Sequence, residues 1–454
     1  MSNKCAVIFV DLKDRDLMGD ALIAHHLKKQ GITCYLEPLE TWQAAIYAYK
    51  PNFVLYNHLT VRHLADFSQK MKKWGVLVGC LLNEGLAYSE SSRLFCSQRQ
   101  HSHMHCDLYL TWNDAHRDML IKYKFCSPPE MAHTIGCPRF DYYKEPWRQV
   151  YQQAKNDDAL PVILVNATFA LAHLFTMPRE VADNFFEPWA DKIEGVKDYW
   201  SLVEAHYKGR DNIPSYINLL IKSGKYHVII RPHPREELAF YENWFATLSE
   251  KERERVSLSI NEPPPVAIFN SDIVINCEDC TTSMEAWLAA KPTITIALEQ
   301  HPYWLTETYK CLSPIAYTAE ELDAMISTAL SNPAQPDYHE LREQHLEKWL
   351  HSSDGKSAER AADKIALLIK NKNLTPSIPF TMRGFWKKWK LLTLKSLNEP
   401  YRSRPKHILR RLFGTRHEQV SMRYRDYLKS IRRSDAEKAT QKLISADKSS
   451  SPNN

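Results

Sequence analysis

The chain has 454 residues, 44% of them hydrophobic and 11% aromatic, so it is long enough for two or three globular domains with well-filled cores. Lys and Arg number 59 against 54 Asp and Glu, which gives a formal net charge of +5. With only 12 glycines, the sequence contains neither GxGxxG nor GxxxxGK[ST], which argues against nicotinamide-dinucleotide enzymes and P-loop kinases.

No apolar run approaches the roughly 20 residues that cross a bilayer, and the run after Cys5 is too short for a signal peptide. We therefore expect a cytoplasmic protein whose ten cysteines are reduced.

Residues 1–141 alternate strand-like and helix-like patterns. Amphipathic stretches such as 18–29 and 113–123 lie between apolar runs, and this alternation predicts a parallel, doubly wound sheet. The strand candidates are 6–10, 34–39, 53–57, 76–82, 108–112 and 133–137. The polar segment 142–160 that follows reads as a linker or an interdomain helix.

The alternation restarts and predicts a second doubly wound domain over 161–334, followed by C-terminal helices over 335–372. Its strand candidates are 162–166, 227–231, 256–260, 273–276, 293–298 and 315–318. Two Rossmann-like α/β domains joined by one linker favour a GT-B architecture, in which strand ends face each other across a cleft. Architecture alone does not name a function, because binding proteins and epimerases share it.

The hexapeptide RPHPRE at 231–236 follows the strand candidate 227–231. Arg231, His233 and Arg235 therefore project from a carboxyl strand end, where open α/β sheets bind ligands. The two prolines leave few backbone donors, so the side chains make the contacts. Two guanidinium groups and an imidazole suit a phosphate or diphosphate. The alternative is a structural turn with surface arginines.

A second candidate loop joins the strand candidate 273–276 to a predicted helix. The hydroxyls of Thr281, Thr282 and Ser283 lie at the start of that helix, where backbone N–H groups and the dipole attract anions. Glu285 follows in the first turn, placed to accept hydrogen bonds from ribose hydroxyls. The alternative is an ordinary N-cap. Since both loops follow strands of one domain, we expect them to hold the two ends of one nucleotide.

Three motifs carry a resemblance to a known family: IGCPRFD at 135–141, RPHPRE at 231–236 and TTSMEAWLAAKPTI at 281–294. In order and spacing they resemble the bacterial surface carbohydrate biosynthesis family, which is GT-B glycosyltransferase-like and related to capsule Kdo transferases and CDP-glycerol glycerophosphotransferases. Three shorter segments look like further marks of that family, NHL at 57–59, LLNEG at 81–85 and NATF at 166–169. The resemblance covers roughly residues 1–370.

The resemblance implies a donor-nucleotide site and a hinge at the end of the N-terminal domain. The implied donor-binding residues are Arg231, His233, Ser283 and Glu285. The implied hinge residues are Gly136, Pro138, Arg139 and Asp141. This sequence has Thr281–Thr282 where relatives often have serines or glycines, which keeps the hydroxyls. The donor itself stays open, because related enzymes use CMP-sugars, CDP-alditols and other nucleotides.

In GT-B enzymes the N-terminal domain usually receives the acceptor and can supply the base. Glu84 follows a buried strand candidate, so its carboxylate is placed to remove a proton from the acceptor hydroxyl. Asp16, on the first strand–helix loop, and His58 are the other candidates. Loop capping or ion pairing is the alternative for all three. Asn166 and Thr168, at the first strand end of the second domain, are expected to face the donor sugar.

We expect no metal and no other cofactor. Asp14-Arg15-Asp16 is formally a DxD motif, but it lies on the first loop of a Rossmann-like domain, the wrong place for a metal-bound diphosphate. Arginines can instead neutralise the leaving phosphate. Two further clusters lack standard zinc spacing and read as incidental. They are Cys277-x-x-Cys280 and the set His101, His103, His105 and Cys106.

The C-terminal segment 373–454 is a basic tail, whose last dozen residues we expect to be disordered. Residues 381–440 contain 17 Lys and Arg against 5 Asp and Glu. Helical spacing over 381–398 places an aromatic stripe on one face, which suits a membrane interface. The stripe consists of Met382, Phe385, Trp386, Trp389 and Leu392. The alternative is a helix that packs its aromatics onto the N-terminal domain. Nucleic acid is not expected as a partner, since no recognised module accompanies the charge.

Together these features predict a metal-independent glycosyltransferase with a nucleotide-sugar donor, for which a CMP-linked ulosonic acid is one candidate. The expected acceptor is a surface polysaccharide or lipopolysaccharide. Residues 381–433 would hold the protein at the anionic inner membrane surface. One alternative is a CDP-alditol phosphotransferase of the same fold, and another is a non-catalytic nucleotide-sugar-binding scaffold of an envelope assembly complex.

Overall fold

The structure is a computed structural model of the chain, and it divides into two units. One unit comprises Met1–Val150 together with Lys348–Asn454, and the other comprises Tyr151–Glu347. The C-terminal segment thus belongs with the N-terminal sheet. The residues that the structure describes are 4–59, 61–82, 84–86, 104–126, 128–152, 160–191, 196–260, 262–278, 280–302, 304–403 and 429–450.

The first unit is built on a six-stranded, wholly parallel sheet with the order β2-β1-β3-β4-β5-β6. Its strands are β1 (Cys5–Val10), β2 (Thr33–Pro38), β3 (Phe53–Tyr56), β4 (Leu77–Leu81), β5 (Leu108–Thr111) and β6 (Ala132–Thr134). The order reverses between β1 and β3, which makes the sheet doubly wound.

The second unit also has a six-stranded parallel sheet, with the order β12-β11-β10-β7-β8-β9. Its strands are β7 (Val162–Asn166), β8 (His227–Arg231), β9 (Val256–Leu258), β10 (Ile273–Cys277), β11 (Thr293–Ile296) and β12 (Ile315–Ala316). This is the Rossmann strand order, with its reversal between β7 and β10. The prediction of two Rossmann-like doubly wound domains is confirmed. A GT-B fold consists of two domains of this kind.

Helices connect the strands and complete both units. They are α1 (Lys13–Lys29), α2 (Trp42–Tyr49), α3 (Arg62–Lys73), α4 (Asp114–Lys122), α5 (Ala172–Phe175), α6 (Arg179–Ala190), α7 (Tyr199–Ser223), α8 (Leu238–Thr247), α9 (Glu250–Arg253), α10 (Pro264–Asn270), α11 (Thr282–Leu288), α12 (Glu307–Lys310), α13 (Ala319–Ser331), α14 (Pro336–Leu350), α15 (Ser357–Lys372), α16 (Met382–Ser396) and α17 (Arg433–Ser450). Short 3₁₀ segments lie at Leu39–Thr41, Pro129–Met131, Pro138–Tyr143 and Trp147–Val150.

The central strands are buried along their whole length, as in β3, β4 and β10. Continuous apolar runs such as Phe53–Tyr56 and Ile273–Cys277 suit strands that are covered on both faces by helices. Burying both faces of each sheet gives each unit its own apolar core. Polar side chains are therefore concentrated where the strands end.

The IGCPRFD motif anchors helix α15 to the first unit. Asp141 accepts hydrogen bonds from the backbone N–H groups of Ser357 and Ala358, at 3.1 and 2.7 Å. Gly136 has a φ of +88°, and a Cβ there would lie 2.5 Å from Ser357 Oγ. Both the left-handed backbone and this close approach require glycine. The motif that was predicted to end the N-terminal domain therefore binds the start of helix α15, where the chain returns to the first unit.

The C-terminal helices pack on the first unit. Helix α17 lies against α1, where Asp447 pairs with Lys29 at 2.7 Å and contacts His25 at 3.2 Å. Helix α16 lies against α2. The expectation that the last dozen residues are disordered is wrong for 443–450, since Leu443 and Ala446 are buried within α17. Within the described parts of the chain, we find no helix with the length and apolarity that a membrane span requires.

Candidate active site

Three polar residues lie in one row at the carboxyl edge of the second sheet. In the strand register, Asn166 pairs with Asn276 on one side and with Arg231 on the other. The two loops selected from the sequence, after β8 and β10, therefore flank the end of β7. Two strand spacings separate β8 from β10, about 10 Å. The asparagine pair lies at the reversal of strand order, where open α/β sheets bind ligands.

The asparagines and the hydroxyl loop form a buried network. Asn276 accepts from Asn166 Nδ2 at 3.0 Å and from Thr282 Oγ1 at 2.7 Å, and it donates to Ser283 Oγ at 2.8 Å. The second polar atom of Asn166, Oδ1, is buried with no hydrogen-bond partner among the described residues. A buried acceptor of this kind is costly unless a ligand or water completes it.

The hydroxyl loop is organised differently from the predicted helix N-terminus. Helix α11 has only seven residues, and its N-cap Thr281 makes no side-chain capping bond. Thr281 is exposed, whereas Ser283 and Glu285 are buried. The hydroxyls of Thr282 and Ser283 thus position Asn276.

Glu236 holds the RPHPRE loop in place. Its Oε1 accepts from the backbone N–H groups of His233 at 2.8 Å and Phe169 at 3.1 Å, and its other oxygen accepts from the Tyr241 hydroxyl. Burial raises the pKa of Glu236 to about 7, while these three donors act in the opposite direction. Glu236 therefore joins the loops after β7 and β8, a role that the sequence analysis missed.

Arg231 and His233 of RPHPRE make different contacts. Arg231 Nη1 donates to the Glu262 carbonyl at 2.6 Å and to Ser259 Oγ at 3.3 Å, toward the end of β9. His233 Nδ1 accepts from the backbone N–H of Arg235 at 3.2 Å. A neutral imidazole with Nδ1 as acceptor has its hydrogen on Nε2. His233 is thus held to the loop backbone through Nδ1, while Arg231 is partly committed to the fold.

Helix α7 adds a histidine that the sequence analysis did not select. His206 is buried and stacks on Trp304, with ring centroids 4.1 Å apart. Trp304 Nε1 donates to Thr168 Oγ1 at 3.2 Å, and Thr168 donates to the Cys277 carbonyl at 2.6 Å. Burial, with His233 nearby, lowers the pKa of His206 to about 3. His206 is therefore a neutral imidazole beside the predicted Thr168.

Arg210, one turn further along α7, is also buried. Its Nη1 lies 3.4 Å from Glu237 Oε2, and its guanidinium lies over the Phe240 ring at 4.6 Å. A histidine and an arginine four residues apart on a long helix carry no distinguishing sequence pattern. Only the tertiary contacts with the loops after β7 and β8 identify them.

Two buried polar atoms near this edge have no hydrogen-bond partner among the described residues. Asn166 Oδ1 lies at the end of β7, and Glu278 Oε2 lies directly after β10. Native proteins leave few buried polar groups unpaired, so such atoms at a strand-order reversal are typical of a ligand site.

The three base candidates of the first unit lie around Arg15. Arg15 contacts Asp16 Oδ1 at 2.7 Å and Glu84 Oε1 at 3.0 Å. Asp16 also accepts from the backbone N–H of Leu12 at 3.0 Å, so loop capping and ion pairing account for it. Burial lowers the pKa of His58, whose charged neighbours include Arg15. Glu84 has a side chain that is 74% exposed, which leaves it accessible to an acceptor.

The described residues contain no group of three or more His, Cys, Asp or Glu that could hold a metal ion. Cys277 is buried, and Cys280 Sγ accepts from the Thr282 hydroxyl at 2.9 Å. Of the alternating histidines, His101 and His103 lie outside the described residues. His105 contacts Asp107 at 3.0 Å.

No protein-family model matches the sequence, and no curated protein matches it either. Similar chains of known structure include one from Listeria monocytogenes described as a UDP-N-acetylglucosamine 2-epimerase. It has 13% identity, a TM-score of 0.49, and coverage of 82% of this chain and 98% of that one.

The wall teichoic acid polymerase TagF is 13% identical, with a TM-score of 0.48, and the match covers 82% of this chain and 90% of TagF. Anabaena HepE in complex with UDP-glucose is 10% identical, with a TM-score of 0.43, and the match covers 79% of this chain and 99% of HepE. At these identities and TM-scores, the likenesses do not bear on the activity of this chain.

Proposed function

We propose that the second unit binds a nucleotide-activated sugar at the carboxyl edge of its sheet, and that the protein is a glycosyltransferase. The observation that carries this proposal is the buried Asn166–Asn276 pair at the switch point between β7 and β10, where Asn166 Oδ1 and Glu278 Oε2 have no hydrogen-bond partner among the described residues. A nucleotide donor supplies hydrogen-bond donors, so it can complete Asn166.

The leaving phosphate lies beside the RPHPRE loop in this proposal. The Nε2–H of His233 and the guanidinium of Arg235 stabilise the charge that develops on the phosphate as the sugar is transferred. Thr281, on the other side of β7, is exposed and offers a hydroxyl to the same group. Glu285 is buried, and its assignment to the ribose remains part of the proposal.

The first unit receives the acceptor and supplies the base. Among the three candidates, we assign this role to Glu84, because its carboxylate is the exposed one and Asp16 is committed to Arg15 and Leu12. The proposed acceptor is a surface polysaccharide or lipopolysaccharide precursor on the cytoplasmic side of the inner membrane. The donor is a nucleotide sugar, of which CMP-linked ulosonic acids are one class.

A binding screen with the intact protein tests the donor site. Thermal shifts are measured with CMP, CDP, UDP, GDP and their sugar and alditol conjugates. A ligand at 100 times its dissociation constant stabilises the protein by about 2.7 kcal/mol, enough for a shift of several degrees. We expect one nucleotide series to stabilise the protein, and no stabilisation by any series would contradict the proposal. Transfer of a sugar, rather than an alditol phosphate, then identifies the reaction.

The Glu84→Gln variant tests the base. We expect turnover to fall about 100-fold, because a general base contributes at least this much, while the affinity for the donor stays unchanged. The lost ion pair with Arg15 is exposed on the Glu84 side and contributes little to stability. Glu130→Gln, another exposed carboxylate of the same unit, is the matched control. Wild-type turnover in Glu84→Gln would remove Glu84 from this role.

A further inference from the structure

Helix α16 packs on the first unit through one of its two faces. Gly384, Leu391 and Leu394 are buried on this face. A Cβ on Gly384 would lie 2.5 Å from the Tyr47 ring, so glycine permits close packing on α2. On the same face, Lys395 forms an ion pair with the buried Glu37. The helix is therefore fixed in place.

The opposite face of α16 is apolar and exposed to solvent. The prediction that an aromatic stripe occupies one face is confirmed, but the stripe is not the packed face. Its exposed fractions are 59% for Met382, 43% for Phe385, 57% for Trp386, 56% for Trp389 and 41% for Leu392. Phe380, just before the helix, is 77% exposed. Soluble monomers seldom expose apolar groups this large side by side, and such patches mark interaction sites.

Positive charge borders the stripe on both sides. At 100° per residue, Arg383 and Lys390 lie along one border and Lys388 along the other. The sequence contains no Asp or Glu between Asp363 and Glu399. Lys390 also lies over the Tyr401 ring at 4.3 Å, which keeps its ammonium group near the helix. The partner of this face must therefore combine an apolar layer with negative charge.

We propose that the exposed face of α16 is a preformed docking surface for an anionic lipid bilayer. Tryptophans favour the headgroup level, where the indole ring is buried and its N–H stays hydrated. Lysine and arginine beside them are attracted to anionic headgroups. Because α16 is already packed on α2, it requires no folding on contact with the lipid. This inference is independent of the donor site.

Vesicle co-sedimentation of the full-length protein tests the proposal. Vesicles of phosphatidylcholine with about one-third phosphatidylglycerol are expected to bind the protein, and pure phosphatidylcholine vesicles are expected to bind it at least about fivefold more weakly. The Trp386→Ala/Trp389→Ala variant should lose about tenfold or more in partitioning, because two large apolar groups no longer enter the interface. Both side chains are exposed, so the melting temperature should not change.

Matched control variants distinguish the loss of the α16 surface from the general effect of removing aromatic or basic side chains. Tyr123→Ala/Tyr317→Ala removes aromatics that are 40% and 47% exposed elsewhere, and should bind like the wild type. Arg383→Gln/Lys388→Gln should weaken binding to anionic vesicles about tenfold, while Lys251→Gln/Lys370→Gln should not. The proposal is overturned if the tryptophan variant binds like the wild type. It is also overturned if that variant only converts a dimer to a monomer in sedimentation velocity, since a second copy would then cover this face.

Discussion

Replacing His233 with alanine is expected to lower affinity for the nucleotide donor about 100-fold and to abolish measurable transfer. A hydrogen bond to a charged phosphate contributes about 1.5–3 kcal/mol, and the Nε2–H of His233 is the donor that the RPHPRE loop presents. The loop itself should largely persist, because Glu236 holds the backbone N–H of His233, although the variant loses the Nδ1 acceptor of the Arg235 N–H. Isothermal titration with the nucleotide that stabilises the wild type measures the loss.

Two control variants sharpen this prediction. His233→Gln keeps an N–H donor and should recover part of the affinity. His227→Ala removes the histidine at the other end of β8, which contacts Ser257 Oγ at 3.1 Å, and should bind like the wild type. Arg231→Ala should have a smaller effect than His233→Ala, because Arg231 is partly committed to Ser259 and Glu262. Unchanged donor affinity in His233→Ala would refute the assignment.

Asp141→Ala is expected to destabilise the first unit by about 3 kcal/mol. The change leaves two buried backbone donors, on Ser357 and Ala358, without their acceptor, and each unsatisfied group costs about 1–3 kcal/mol. Helix α15 has no side-chain cap of its own at Lys356, so Asp141 acts as its remote cap. Hydrogen exchange of the α15 amides, together with urea denaturation, measures the effect.

The control for this variant is Asp354→Ala at the same helix start. Asp354 forms a partly exposed ion pair with Arg360 at 2.8 Å, which should contribute less than about 1 kcal/mol. Equal destabilisation by both variants would contradict a special role for Asp141.

The titration of Asp141 adds a pH dependence with a defined sign. Burial raises its pKa from 3.8 to about 7, so the folded state favours the protonated form. The stability that this shift contributes is fully present below the unfolded-state pKa of 3.8. It is lost as the pH rises through the folded-state pKa of about 7. Asp141→Asn cannot titrate and should lack this slope. A steeper slope in the variant would exclude the assignment.

The sequence predicted the strands better than the helices. All twelve strand candidates correspond to strands, with ends that differ by a few residues, because continuous β-branched runs are a strong local signal. Helix α7 was not predicted, and Pro214 lies inside it. The sequence leaves packing of the tail helix on the N-terminal domain as an alternative, and the face that packs could not be predicted, because the contacts of α16 with α2 join residues more than 300 positions apart.

The candidate site shows the same division between local and long-range signals. Arg231, His233 and Asn166 follow strands, so their location at the carboxyl edge could be deduced from the sequence. The pairing of Asn166 with Asn276 depends on strand order, which periodicity does not reveal. His206 and Arg210 were missed because they acquire their roles from segments distant in the chain. Glu236 was missed because its contact with Phe169 joins two loops that the sequence does not show to be neighbours. The roles of the predicted site residues stay predictions until the variants are measured.

The chain crosses between the two units twice, near residues 150 and 347, and this has a consequence for biosynthesis. The second unit is one uninterrupted stretch, and all of it is synthesised before α15, α16 and α17 of the first unit. The first unit can complete its packing only after those helices have been made. A fragment of residues 151–347 would thus test whether the second unit folds and binds ligands by itself.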